Sequence, residues 1–459
     1  DLENLEFFHP SEDSAEMRYL RARRAQLGGY LPARRSAAPA ITVPDLHSYA
    51  DFALKSEGKA MSTTMAAVRI FSNLLRHKTL GPRIVPIVAD EARTFGMANL
   101  FRQIGIYSPV GQLYEPEDAG SLLSYREARD GQILEEGITE AGAISSWVAA
   151  ATAYSVHATR LLPFYIFYSM FGFQRVGDLI WAAADQRARG FLLGATAGRT
   201  TLGGEGLQHQ DGSSHIVAAT VPNCRAYDPA FAGELAVIVD HAARRMMEND
   251  DDVFFYVTLM NENYAQPSLP EHVAQHVIRG MYRFGTYGVA EPANGAGAVR
   301  LLGSGAILLE VIAAAELLLK DWQLPTEVWS VTSFSELARE AAMIERWNRL
   351  HPQQPARRSH VEECLHGKAP IVAASDYVRA YPQLISPYLD ASYTVLGTDG
   401  FGRSDTRAAL RRFFEVDRQH IAVGALSASA AHGAMDCAMV AQAIERYGID
   451  ADSCAPWTR

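Results

Sequence analysis

The sequence predicts an α/β protein of two three-layer domains, each a mainly parallel sheet with helices on both faces. Three observations lead there. Short β-branched and aromatic runs alternate with longer helical stretches, the pattern of strands joined by right-handed crossovers. A loop-rich stretch, Asn261–Gly295, carries Pro267, Pro270 and Pro292 and divides the alternation into two series. Of the 459 residues, 48% are apolar and 20% charged, a globular balance with enough apolar surface for two large cores.

Residues 1–45 are polar and rich in arginine (Arg18, Arg21, Arg23, Arg24, Arg34, Arg35), and they run into the Pro/Ala stretch Ala37–Pro44. They read as an N-terminal extension and linker. Asp45–Leu75 reads as helical, Ile84–Val88 as a strand ending in Asp90 and Glu91, and Met97–Ile104 as an amphipathic helix. Ile133–Leu134 is a weak strand before Gly137, and Ala141–Ala153 is a helix of small residues. Leu162–Tyr168 is a strand and Phe173–Ala188 a helix. Phe191–Leu193, the weaker Ala226–Tyr227 and Val253–Leu259 are strands, with Phe231–Met247 a helix before the last. These elements make a first domain over 46–270.

The second domain, 271–459, opens with the strand Val299–Leu302, the turn Gly303-Ser304-Gly305 and the helix Ile307–Leu318. Glu327–Val331 is a strand, Phe334–Glu345 a helix, and Ile371–Ala374 and Tyr393–Leu396 are strands. Ser404–Phe414 and the tail Ile421–Tyr447 read as helical.

Several functions are disfavoured. The formal charge of −10 lacks the basic footprint that nucleic acid requires. The longest apolar run, Leu161–Phe173, is interrupted by Pro163 and falls short of the ~18 residues of a membrane span, so no membrane partner is expected. Four cysteines (Cys224, Cys364, Cys437, Cys454) form no C-x-x-C pair, which argues against a disulfide framework or zinc site and for the cytoplasm. Zincin, P-loop and nucleophile-elbow motifs are absent. Gly303-Ser304-Gly305 has Leu308 where a dinucleotide fingerprint needs a third glycine.

What carries more is a set of long strings in order. Ile84–Phe101 (IVPIVADEARTFGMANLF), Phe164–Gly177 (FYIFYSMFGFQRVG) and Gly198–Asp211 (GRTTLGGEGLQHQD) resemble the pyrimidine-binding domain of the homodimeric-type pyruvate dehydrogenase decarboxylating component. Trp329–Glu336 (WSVTSFSE) and Tyr393–Asp405 (YTVLGTDGFGRSD) resemble its C-terminal domain. The resemblance runs from about Tyr30 to the end and places the chain in the transketolase-like group. It implies a transketolase-like pyrimidine domain over 46–270, a transketolase C-terminal-like domain over 271–459, and thiamine diphosphate with Mg²⁺ as cofactors.

By that resemblance Glu140, in Glu136-Gly137-Ile138-Thr139-Glu140, contacts the aminopyrimidine ring. A carboxyl group there favours the imino tautomer, which removes the proton from the thiazolium carbon. Without the resemblance, Glu140 would be an ordinary first-turn acid favoured by the helix dipole. His209 is implied as the catalytic and substrate-side histidine, apt for a pyruvate carboxylate near neutral pH. His215 is expected to bind substrate as well. Glu91 is implied to face the cofactor and relay protons, with Asp90 beside it. Tyr168 and Phe171 flank the pyrimidine, although in a bare reading they are core. Arg175 is expected to position acidic groups. Ser213 departs from the family pattern, which often has a histidine there.

The resemblance also exposes a gap. The family holds the diphosphate and Mg²⁺ through a Gly-Asp-Gly motif followed by an asparagine, and no Gly-Asp-Gly occurs here. Asp211-Gly212 and Asp399-Gly400 lack the preceding glycine. No metal ligand is therefore expected in this chain. The expected partner is a chain or domain bearing that motif, with homodimerisation giving a heterotetramer, pyruvate as substrate and a lipoyl-bearing acyltransferase as acceptor. Two alternatives stand beside this. One is a split enzyme passing a two-carbon unit to a biosynthetic acceptor; the other is a non-catalytic structural or regulatory subunit.

Overall fold

The computed structural model describes residues 3–4, 7–29, 38–288 and 298–459. Arg34, Arg35 and Pro292 lie outside the described residues.

A first sheet of six strands runs in the order Leu134–Glu135, Ile84–Val88, Leu162–Tyr168, Phe191–Ala195, Phe254–Thr258, Cys224–Tyr227. Every pairing is parallel. Strand side chains alternate between two cores. Ile166, Leu193, Phe255 and Val257 enter one, beneath the helices Leu46–Leu54, Thr63–Leu74 and Ala232–Met247. Tyr165, Leu192, Phe254 and Tyr256 enter the other, with the helices Glu140–Ala151 and Phe173–Asp185. Burial on both faces is why these strands are almost continuously apolar in sequence.

The second sheet has the order Met281–Tyr287, Thr326–Val331, Val299–Gly303, Ile371–Ala374, Tyr393–Leu396. It is parallel except for the first strand. Leu301, Val328 and Val372 pack under the helices Ile307–Trp322 and Arg418–Ala431. Leu302, Trp329 and Ala373 pack under Phe334–Leu350 on the opposite face. Among the described residues, no helix is long and apolar enough to cross a membrane.

Three expectations change. The stretch read as loop contains the helix Ala274–Arg279 and the seven-residue strand Met281–Tyr287. Gly280, at φ +109°, ends the helix in the left-handed conformation and lets the strand begin at once. Asp45–Leu75 is two helices, Leu46–Leu54 and Thr63–Leu74, parted at Gly58 (φ +81°) by a short strand, Ala60–Met61, that pairs with Tyr264–Ala265. Ser62 accepts from the Met65 N–H and caps the second helix. The tail is likewise two helices, Arg418–Ala431 and Cys437–Arg446, broken near Gly433 and restarted by the Asp436 cap. In the extension, the helix Ala15–Gln26 buries none of its side chains.

Each sheet has a point where successive crossovers leave in opposite directions from two adjacent parallel strands. In the first it lies between Ile84–Val88 and Leu162–Tyr168, in the second between Val299–Gly303 and Ile371–Ala374. Such switch points open a crevice at the C-terminal ends of the strands, which is where ligands of open α/β sheets bind.

Candidate active site

The first switch point gathers polar groups from four strand ends. Ile84–Val88 delivers Ala89, Asp90 and Glu91. Asp90 is exposed; Glu91 is half-buried, and burial raises its carboxyl pKa above the usual range. The Asp90 N–H, 3.2 Å from Glu91 Oε2, works in the opposite direction.

Leu162–Tyr168 ends in a 3₁₀ turn, Ser169–Phe171, before the helix Phe173–Asp185. Gly172 makes the turn possible, because a Cβ there would sit 2.3 Å from a ring carbon of Phe167. The turn presents Tyr168 and Phe171 with ring centroids 5.8 Å apart. His209, from the loop that follows Phe191–Ala195, completes a triangle of rings, 4.9 Å from Tyr168 and 5.2 Å from Phe171. Its Nδ1 is buried without a hydrogen-bond partner. A nitrogen in that position is prepared to meet a ligand group.

Leu134–Glu135 leads through Gly137 (φ +77°) to Thr139, whose hydroxyl accepts from the Gly142 N–H at 3.2 Å and caps the helix Glu140–Ala151. Glu140 is therefore held in the first turn. Arg175 Nη1 donates to Glu140 Oε1 at 2.9 Å, and the same guanidinium lies 3.8 Å above the centre of the Phe171 ring. Arg175 thus joins the acid of one strand end to the aromatic turn of another. Glu140, Arg175, Phe171, Tyr168 and His209 form one continuous chain of contacts, with Glu91 close enough to raise the pKa of the Tyr168 hydroxyl after burial and Glu205.

His215 does not join that cluster, and this corrects the expectation that it lines the substrate site. It is fully buried, with Nε2 2.9 Å from Thr258 Oγ1 and its ring stacked 4.7 Å from Tyr381. Burial alone pushes its pKa down to about 3, so it is neutral and packed between the two sheets. At the departure position, Ser213 Oγ accepts from Gln174 Nε2 at 3.1 Å. Sequence reasoning missed Glu135, the last residue of its strand. Burial raises its carboxyl pKa, the charges of Asp90 and Glu91 add to the shift, and Tyr125 donates to it at 2.6 Å. The available signal was its place at a strand end, as with Tyr168.

The loop carrying His209 is anchored on the second sheet. Asp376, at the end of Ile371–Ala374, accepts from the backbone and hydroxyl of both Thr200 and Thr201, at 2.6–3.0 Å. Gln210 accepts from the Arg403 N–H at 2.6 Å and donates to the Leu202 carbonyl at 3.0 Å. Gly305 N–H donates to the Asp228 carbonyl at 3.1 Å, so the glycine turn of the second sheet is occupied by the first domain. Among the described residues, no group of three or more His, Cys, Asp or Glu is placed to hold a metal ion.

Residues 41–267 match the model of the pyruvate dehydrogenase E1 component middle domain, and residues 260–417 that of the transketolase-like TK C-terminal domain. The chain belongs to the pyruvate dehydrogenase E1 component family. It is 55% identical to the pyruvate dehydrogenase E1 component of Pseudomonas aeruginosa over 99% of its own length and 52% of that relative. The chain therefore spans about half the length of the curated relatives it matches. Among solved structures, it is similar to transketolase from Campylobacter jejuni, with a TM-score of 0.57, 17% identity and coverage of 91% of this chain and 51% of that one. A "Split gene transketolase, inactive beta4 tetramer" is matched over 81% of this chain and 98% of that one, with a TM-score of 0.51 and 15% identity. At these identities the structural likeness concerns the fold.

Proposed function

We propose that this chain supplies the pyrimidine-side half of a thiamine-diphosphate active site in a pyruvate dehydrogenase-type enzyme. The carrying observation is the unbroken contact chain from Glu140 through Arg175 and Phe171 to Tyr168 and His209 at a sheet switch point. We assign 46–270 to the pyrimidine-binding domain and 271–459 to the C-terminal domain.

The residues present fit one end of that cofactor. Tyr168 and Phe171 offer flat apolar faces to a heteroaromatic ring, Glu140 offers a carboxylate within a helix first turn, and His209 an unpartnered buried nitrogen. They do not fit its diphosphate end, for which no Gly-Asp-Gly motif exists. Those groups and the Mg²⁺ ligands belong to a partner chain or domain. The bound cofactor supplies the carbanion chemistry of 2-oxo acid decarboxylation. Glu140 holds or moves a proton at the pyrimidine nitrogen. Arg175 orients Glu140 through the 2.9 Å hydrogen bond to Oε1. His209 receives the pyruvate carboxylate or exchanges a proton with substrate. Glu91, its pKa raised by burial, is suited to proton relay. The two-carbon unit then passes to a lipoyl group on an acyltransferase.

A second reading, a natural subunit whose diphosphate-binding half is a separate chain serving a biosynthetic two-carbon acceptor, draws support from the split-gene transketolase chain, matched over 98% of its length. A non-catalytic subunit is disfavoured by the intact contact chain.

The test is calorimetry of this chain alone with thiamine diphosphate and Mg²⁺, repeated with a diphosphate-domain half from a relative. The expected result is tight binding and pyruvate decarboxylation only in the mixture. Tight stoichiometric binding to the chain alone would overturn the division of the site.

A further inference from the structure

Away from the site, the outward stripe of the Thr63–Leu74 helix forms the floor of an open groove of about 1000 Å³. Met65, Val68, Arg69, Ser72, Asn73 and Arg76 follow the i, i+3, i+4, i+7, i+8, i+11 spacing of one helix face. One wall is the end of the Leu46–Leu54 helix with Lys55, Lys59 and Met61; the other is the Ala98–Gln103 helix with Arg102 and Gln103.

The charge of this groove runs against that of the chain. Five cations line it (Lys55, Lys59, Arg69, Arg76 and Arg102), and no aspartate or glutamate does, in a chain of formal charge −10. Lys55 is answered by Asp51 at 2.9 Å on the rim. Arg69 instead lies 3.9 Å over the Phe52 ring, and Arg76 reaches only the amide oxygen of Asn73, at 3.4 Å. Uncompensated cations crowded in a cleft repel one another, an arrangement that an anionic occupant relieves.

The apolar part decides which anion. Met61, Met65 and Val68 interleave with the cations, and Asn73, Asn99 and Gln103 add amide donors and acceptors. A bilayer cannot settle into a concave cleft, and the groove holds one ring, Phe52, with Arg69 over it, so it lacks the series of aromatic platforms that successive stacked bases use. Alternating apolar and cationic positions in a groove between helices suit an amphipathic acidic helix, with methionines that adapt to its side chains. We propose that this groove docks an acidic amphipathic helical segment of a partner protein or domain. Its inner end adjoins the site, since Met65 Sδ packs where a Gly96 Cβ would stand, and the neighbouring Phe95 ring lies 5.4 Å from Tyr168.

The probe is a fluorescein-labelled helical peptide of about 16 residues, with leucine at i, i+3, i+4 and i+7 and glutamate on the flanks. Its anisotropy is titrated with the full chain at low salt. The expected result is saturable binding, weakened about tenfold or more by R69E/R76E together and several-fold by R102E, with Arg349→Glu on a remote helix neutral. Circular dichroism melts check that each variant is folded. The proposal is overturned if a lysine-for-glutamate peptide binds equally, if the reversals leave affinity unchanged, or if only an oligonucleotide or phosphatidylserine vesicles show that sensitivity.

Discussion

The two sheets of this molecule have the same kind of crevice and use it in opposite ways. At the first switch point, between Ile84–Val88 and Leu162–Tyr168, the crevice collects groups with unused capacity: the unpartnered Nδ1 of His209 and the half-buried carboxyl of Glu91. At the second, between Val299–Gly303 and Ile371–Ala374, the same architecture is filled by protein. Asp376 takes four hydrogen bonds from Thr200 and Thr201, and Asp228 closes against Gly305. The lesson is that a strand-end position predicts a site only where no neighbouring domain claims it. The dinucleotide-like turn Gly303-Ser304-Gly305 lies at the correct end of its strand and is still a domain contact.

The largest expected separation comes from exchanging one acid in each crevice. Glu140→Ala should lower turnover of the assembled enzyme by about 10²–10⁴ while shifting unfolding stability by no more than about 0.5 kcal/mol, because Arg175 is half-exposed and the pair is a surface one. Asp376→Ala should do the reverse to stability. It strands buried donors on Thr200 and Thr201 and should cost about 3–5 kcal/mol by urea melts. Equal loss of both properties in both variants would erase the contrast. His209→Ala should follow Glu140 in leaving stability intact, but raise KM for pyruvate more than it weakens cofactor binding. A collapse of cofactor affinity alone would remove the role given to it.

A smaller effect tests the filled crevice by pH. Burial raises the Asp228 pKa to about 7 from 3.8, so the folded state keeps a proton that the unfolded chain releases, and this contribution is lost as pH rises between those values. His215, its pKa lowered from 6.5 to about 3, contributes in the opposite sense, with stability present above 6.5 and lost as pH falls. The two partly cancel across that window, and Thr258 touches both side chains. Asp228→Asn should therefore leave stability climbing more steeply from about pH 4 to 7 than in the parent chain. Unchanged slopes in urea midpoints across that range would count against a protonated Asp228. Smallest of all, Gly305→Ala should cost about 1–3 kcal/mol, since its Cβ would lie 2.7 Å from Asp228 Oδ2.

Much of this was legible in the sequence for a physical reason. Strands buried on both faces, such as Leu162–Tyr168, are continuous apolar runs that no solvent-facing element can imitate. Met281–Tyr287 was not legible, because an edge strand with Arg283 and Thr286 facing outward, next to a proline-rich stretch, carries no such run. The long helical readings failed at the charged stretch Lys55–Lys59, where Glu57 and Gly58 both take positive φ beyond the end of the first helix, and at Gly433, whose positive φ follows the end of Arg418–Ala431. His209 and His215 stand six positions apart and have opposite fates, one opening onto a ring cluster and one enclosed by tyrosines of the second domain. Their local sequences do not distinguish them, since what encloses His215 comes from Tyr377 and Tyr381, more than 150 residues later.

The anchoring of the His209 loop bears on how such proteins recombine. The two family models meet at residues 260–267, a natural place to cut and rejoin related genes. Yet Thr200 and Thr201 fit Asp376, Gln210 fits the backbone at Arg403, and Arg407 Nε reaches the Thr201 carbonyl at 2.6 Å, all across that joint. A hybrid spliced there inherits the loop at 198–211 from one parent and its mould from the other. In this chain the loop at 198–211 is shaped by residues on the far side of the joint, so an exchange that keeps its fit must carry those partners with it.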